Sequence, residues 1–347
     1  DSMFVCQWSD ADIGNYTDDF AGCDTVRSVG YGYSGFVTDP DYTNFNLPPG
    51  AIGYDFFQGP MVEGAPEDTA IFGLTKRPGF KNLPMTSYFF FASGSAISDP
   101  PLGDYDGTLQ FYNMLNGYLP TIDLTDPSPY IAGSGPTAGT ATKFPLAGDP
   151  TTQQGDVDGL GTNLQPGDRR IGMCSGPFWM TPGDSQEVVV AVIGGIVAQD
   201  GGDNRNAVLQ MKLNSDFAQF IYDNLFQAIP RAPIAPKVTA TPLEDHIILD
   251  WSTDANAVAA TEANDPLLGF NFEGYNVYQL PTATATVEQA KKIATFDAVN
   301  NVTTVYATKF VGSIGDIVTV PIQKGTDSGL QRYFVLDQDY INGAPLA

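Results

Sequence analysis

The stretch QWSDADIGNYTDDFAGCDT, Gln7 to Thr25, sets Asp10, Asp12, Asp18, Asp19 and Asp24 among glycines and aromatics, with no basic residue between them. Carboxylates that crowd within ~6–8 Å repel one another, each close pair costing on the order of 1 kcal/mol at surface dielectric. Either water solvates them or a cation sits among them. Calcium takes oxygen ligands from carboxylates, side-chain amides and backbone carbonyls. Asp10, Asp12, Asn15, Asp18, Asp19 and Asp24 carry that chemistry within one short segment. Calcium is therefore the expected cofactor, holding a loop to a strand and performing no reaction. The helix–loop–helix calcium template does not fit. Counted from Asp10, its glycine position holds Asn15 and its closing glutamate position holds Ala21. A second loop, GDVDGLGTN, offers Asp156, Asp158 and Asn163 as the alternative set, with Leu160 where a ligand is wanted. Asp104 and Asp106 in GDYDG form a third cluster. The competing reading for all three is that short aspartates close turns by bonding their own backbone.

Catalytic chemistry has less to work with. The chain has one histidine, His246, at the start of a β-like run in LEDHIILD with no serine or cysteine motif near it. Histidine-based triads and zinc sites are thus unsupported, and no glycine-rich phosphate loop precedes a helix. A glycosidase needs two carboxyls, one kept protonated by burial, whereas aspartates in Gly/Asn loops are solvated and stay ionised. The expectation is a protein that is not an enzyme. The alternative is a secreted carbohydrate-binding or carbohydrate-active protein that uses carboxylates with Tyr31, Tyr33, Tyr105 and Trp179 as stacking platforms; those aromatics read equally as core. Cys6 and Cys23 flank the acidic segment closely enough for a disulfide, which would suit an oxidising compartment. The other reading is that Cys6, Cys23 and Cys174 are buried thiols.

The elements that must position these residues read as mainly β. Among 347 residues, 42% are hydrophobic and 12% aromatic, enough for packed cores, and 37 glycines and 26 prolines punctuate the chain in turn-like clusters. Runs such as MFVCQW, AIGYDFF, TSYFFFA and RRIGMCSGPFWM are bounded by Gly, Pro, Asp or Asn, as strands are. The longest apolar run, Val188–Ala198, reads as a buried strand and is too short to cross a membrane. Helical spacing occurs twice, around Leu109–Tyr118 and more strongly from Asp203 to Phe226. In the second, Val208, Leu209, Leu213, Phe217, Phe220, Ile221 and Leu225 form the apolar stripe. Forty acidic residues against 16 basic ones give a formal net charge of −24. That field repels nucleic acid and anionic membrane and suits cations.

Residues 1–229 therefore read as a β-rich, sandwich-like domain with one or two packed helices. A proline-rich linker at 230–236 follows, then a smaller β-sandwich over 237–347. The proline-rich entry, Trp251 in one strand and GYNVYQ (Gly274–Gln279) in another make the second part resemble a fibronectin type III domain. It departs from that pattern in the long segment TDANAVAATEANDPLLGFNF and in its final strands, which are expected from further chain or from a partner. Trp8–Thr25, GYDFFQGP (Gly53–Pro60) and Gly167–Ile193 resemble large secreted β proteins of Bacteroidetes, Ignavibacteria and Caldithrix. In those proteins such a region is commonly paired with a fibronectin-like module and a type IX secretion signal. The resemblance implies an extracellular or outer-surface location. The function expected is structural or adhesive, as a subunit of a surface layer or filament. Its partners would be other protein subunits joined by strand addition, including copies of itself, and possible glycans, without nucleic acid or membrane insertion.

Overall fold

The computed structural model describes residues 2–198, 201–229, 234–311, 314 and 316–346. Strand residues outnumber helical ones, 36% to 14%, so the chain is mainly β and of the sandwich type. It divides into two compact units, one built on Asp1–Gln227 and the other on Ala228–Lys309 and Ile317–Ala347. The expected linker falls largely on residues 230–233, outside the described residues. No helix among the described residues is long and apolar enough to cross a membrane.

The first unit uses strands β1 (Met3–Asp10), β2 (Asp19–Asp24), β3 (Val29–Ser34), β4 (Ala51–Gln58), β5 (Ser87–Ala92), β6 (Arg169–Phe178) and β7 (Val189–Gly195). Its main helices are α1 (Tyr105–Leu115) and α2 (Asn204–Asp223). One sheet has the order β1-β6-β5 and the other β7-β4-β3-β2. Both contribute to one core, which holds Ala21 and Cys23 from β2, Phe56 from β4, Tyr88–Ala92 from β5 and Ile171, Met173 and Cys174 from β6. Glycines permit the close approach: a Cβ on Gly30 of β3 would lie 2.8 Å from the Met173 side chain. The run Tyr88–Ala92 is buried on both faces, as its unbroken apolar character requires, with α1 lying against β5 and β1.

Helix α2 covers the other face of the second sheet, packing on β3, β4 and β7. It begins where expected, with the Asp203 carboxylate accepting from the Arg205 and Asn206 N–H groups. Of the apolar stripe, however, only Val208 is fully buried. Ala207, Val208, Met211, Lys212, Ser215 and Tyr222 are buried, while Phe217 is 49% exposed. Gly195 accounts for this choice: a Cβ there would lie 2.3 Å from the Ala207 carbonyl oxygen, so the small side of the helix is pressed to the sheet. Lys212 and Ser215 tolerate burial because they meet Asp24 and Asp55. The Val188–Ala198 segment is also less buried than its composition implies. It supplies β7, an edge strand, with Val192 63% exposed.

The second unit contains β8 (Thr239–Pro242), β9 (Ile247–Asp250), β10 (Gly274–Gln279), β11 (Lys291–Asp297), β12 (Thr304–Val311), β13 (Asp316–Lys324) and β14 (Tyr333–Leu336). The sheet orders are β8-β9-β14, β10-β11 and β12-β13. Trp251 is buried, its ring 5.4 Å from Tyr275 and 6.1 Å from Phe296. The long segment after Trp251 forms a helix, α3 (Ala255–Thr261), capped by Asp254. Glu262 at its end takes two bonds from Arg332, both 2.7 Å, and one from the Tyr275 hydroxyl. That network ties the helix to the core.

Candidate metal centre

The acidic segment is dispersed by the fold into three places. Asp10 closes β1 directly opposite Arg170 on β6. Asn15 caps the single turn Tyr16–Asp18, its Oδ1 accepting from the Thr17 N–H and hydroxyl and its amide donating to Asp18. Asp24 ends β2, away from the others. There Arg27 bonds it at 2.9 Å and Lys212 at 3.2 Å. Burial pushes the Asp24 carboxyl up, but Lys212 and Arg27 more than reverse it and hold it below its ordinary value. Asp24 is thus an ion-pair residue of the sheet–helix interface and drops out of the expected ligand set.

What remains forms a corner with an outer and an inner tier. In the outer tier, Asp10, Asp12 and Asp168 each bring one carboxylate oxygen to within 4.8 Å of the others. That is a spacing one ion with metal–oxygen distances of ~2.3–2.6 Å can span. Asp168 comes from the PGDRR turn just before β6, a residue the local sequence does not connect to Asp10. Arg170 supplies the cation that the segment itself lacks. It reaches Asp10 and Asp99 at 2.9 Å and Asp168 at 3.3 Å. Three carboxylates thus share one guanidinium, and Asp12 adds a fourth negative charge. The Asp168 Oδ1 is buried without a hydrogen-bond partner. Burial raises the Asp168 carboxyl above its ordinary value, with Arg170 opposing and Asp10, Asp12 and Asp99 adding to the rise.

The inner tier is Asp18, Asp19 and Asp39. Asp39 is fully used: its Oδ2 accepts from the Asn15 N–H at 2.9 Å and its Oδ1 from the Asp41 N–H at 2.8 Å. Gly14, at φ +71°, leaves room for this, since a Cβ there would strike the Asp39 carboxylate. Asp19 is 1% exposed and accepts only from the Ile13 N–H, so its Oδ1 is orphaned, as is the Asp18 Oδ1. Burial pushes Asp19 up to about 8, with the Ile13 N–H opposing and Asp18, Asp12 and Asp39 adding to the rise. Burial, followed by Asp39, likewise raises Asp18. Asp12 links the tiers, its charge being felt by both Asp19 and Asp168.

The GDVDG loop is corrected. Asp156 is buried and spends both oxygens on protein donors. Its Oδ1 accepts from the Gly133 and Ser134 N–H groups and from the Asn163 amide, and its Oδ2 from the Leu146 N–H, at 2.8–3.1 Å. Asp158 forms a buried ion pair with Arg169 at 2.9 Å, with side chains 0% and 4% exposed, and also accepts from the Ala21 and Gly159 N–H groups. Asn163 turns its amide nitrogen toward Asp156 and Val157. These residues brace loops and leave no free carboxylate for an ion. Asp104 is the N-cap of α1, its carboxylate accepting from the Gly107 N–H.

The expected Cys6–Cys23 bridge is likewise corrected. All three cysteines are free thiols. Cys23 lies in the second sheet, its thiol directed at the Pro145 carbonyl, while Cys6 stands opposite Cys174 in the first. Among the expected sugar platforms, Tyr31 and Tyr33 are core residues at 1% and 3% exposure. Tyr105 and Trp179 are exposed, and so is Trp8. Trp8 joins Asp10, Asp99, Leu102, Phe111 and Arg170 around a cavity of about 560 Å³. His246 sits beside Asp245 in the second unit. No protein-family model, curated protein or solved structure matches this chain.

Proposed function

We propose that this chain is a non-enzymatic, extracellular structural or adhesive β protein whose first unit is braced by calcium at the Asp10–Asp12–Asp168 corner. The observation that carries the reading is the convergence of those three carboxylates, one with an orphaned buried oxygen, from two segments far apart in sequence. The donor set is all hard oxygen, which suits calcium and not a thiophilic metal. An ion there ties the end of β1 to the turn before β6. The mainly β architecture supports a scaffold role, and the exposed edges of the β8-β9-β14 sheet support assembly by strand addition. Tyr333 and Val335 on β14 are 50% and 41% exposed, apolar surface that a partner strand would cover.

The test is thermal unfolding of the intact chain in chelator and then in millimolar calcium. Binding well above the dissociation constant contributes ~2–4 kcal/mol, which appears as a rise in midpoint of several degrees. A shift below about 2 °C counts against the reading. The Trp8 cavity favours a second reading, recognition of a saccharide that stacks on the indole and bonds Asp10, Asp99 or Arg170. A polysaccharide screen beside electron micrographs of the native preparation separates the two: retention by a glycan supports the second, ordered filaments or layers the first.

A further inference from the structure

Cys6 and Cys174 are direct cross-strand partners in the antiparallel β1–β6 ladder. Directly opposed residues put their side chains on the same face of the sheet, with Cα atoms about 4.5 or 5.5 Å apart depending on the type of pair. Both spacings fall inside the range a disulfide spans, roughly 4.4–6.8 Å. Cys174 is completely buried and Cys6 partly so. The third thiol, Cys23, belongs to the opposite sheet. We propose that Cys6 and Cys174 are a disulfide-forming pair that staples the edge strand β1 to β6 in an oxidising compartment.

Burial, followed by the neighbouring Cys6 thiol, holds the Cys174 thiol well above its ordinary value. The more accessible Cys6 is therefore the entry point. Its thiol gives a proton to water, and the thiolate attacks a small-molecule disulfide RSSR, forming a Cys6–S–S–R bond and releasing RS⁻. Cys174 then loses its proton, its sulfur attacks the Cys6 sulfur, and a second RS⁻ departs. The two thiolates recover the two protons, so one RSSR is reduced to two RSH as one protein disulfide forms.

The position gives the staple a consequence. β1 is an edge strand, held to the sheet on one side only, and it carries both Trp8 and Asp10. The Asp10–Arg170 pair lies four residues along the same ladder, so a covalent link at Cys6 fixes the register that presents the acidic corner. This holds whether or not the corner binds a metal.

The experiment uses the full wild-type chain incubated with oxidised glutathione, then denatured, alkylated and mapped by mass spectrometry without reduction. The expected result is a chain lighter by two hydrogens, the Cys6 and Cys174 peptides linked, and Cys23 alone alkylated. The thermal midpoint should rise by about 5–10 °C, since the link closes a long loop, and reductant should reverse the rise. Cys6→Ser should show neither the link nor the shift. Alkylation of all three cysteines after oxidation, or a link through Cys23, overturns the proposal. Because the linkage is read on the wild-type chain, a variant that fails to fold does not weaken the test.

Discussion

Replacing Arg169 with methionine should be among the most damaging single changes in the first unit. The Arg169 side chain is 4% exposed and its guanidinium holds Asp158, whose side chain is wholly buried, through contacts of 2.9 and 3.4 Å. Methionine keeps much of the volume and removes the charge. Asp158 would retain the Ala21 and Gly159 N–H groups but no cation. Leaving one partner of a buried pair uncompensated costs ~3–5 kcal/mol, against a total stability of ~5–15 kcal/mol for a domain. The protein should fold, with less margin. In urea unfolding followed by tryptophan fluorescence, a slope of ~2–3 kcal/mol/M translates that loss into a midpoint lower by roughly 1–2 M. The deficit should also depend on pH. Burial already holds the Asp158 carboxyl above its ordinary value despite the opposing Arg169 charge, and loss of the guanidinium raises it further. Its contribution is then most favourable below the unfolded pKa and is lost as pH climbs through the folded one, so acidification narrows the gap to wild type. Asp158→Asn combined with Arg169→Met should recover much of the loss, since a neutral pair strands no charge. A midpoint change in Arg169→Met under about 0.3 M, or one independent of pH, would refute the reasoning.

Three further outcomes are expected. Asp55 is buried against the Ser215 hydroxyl with its Oδ1 unpartnered, and burial pushes it from 3.8 up to about 7. Folding therefore retains a proton that the unfolded chain releases, and this share of stability, at most ~4 kcal/mol, is present below 3.8 and lost as pH rises through about 7. Asp55→Asn should flatten the stability profile across that window, as denaturant titrations at stepped pH would register. Gly195→Ala places a Cβ 2.3 Å from the Ala207 carbonyl and 2.4 Å from the Met211 nitrogen. Backbone atoms of α2 cannot yield, so the helix must lift at a cost of ~1–3 kcal/mol, seen as a lower melting midpoint. Asp156→Ala removes an acceptor of four hydrogen bonds and should destabilise by ~3–6 kcal/mol, while leaving any calcium-dependent rise in midpoint intact.

The β character and the helix beginning near Asp203 were legible because each is local: alternation and a 3.6-residue period are written in neighbouring residues. The buried face of α2 was not legible. It is chosen by Gly195 and Gly53 on two strands and by the charges of Asp24 and Asp55, so Lys212 goes inside while Phe217 stays half out. The acidic segment showed its charge but not its partition. Asp24 sits at the far end of β2 from Asp19; its partner Arg27 is only three residues on, but only the fold brings Lys212 to it. Asp168 and Arg170 reach Asp10 through the β1–β6 pairing, and Asp99 joins them through Arg170, none of which any spacing in Gln7–Thr25 encodes. A small signal did exist for Asp39: an aspartate immediately before a proline is a common helix opening, and it caps Pro40–Thr43 here. Asp156 misled because an aspartate saturated by backbone donors and one awaiting an ion have the same sequence appearance. The Cys6–Cys23 expectation rested on proximity along the chain, whereas strand register pairs Cys6 with a residue far downstream.

The central claim is that the Asp10–Asp12–Asp168 corner takes calcium, and calorimetric titration of chelator-stripped protein with calcium chloride addresses it directly. Wild type should bind about one ion per chain, with binding lost in Asp168→Asn and retained in Asp156→Ala. Absence of saturable heat in the folded wild-type chain, or undiminished binding in Asp168→Asn, would contradict it.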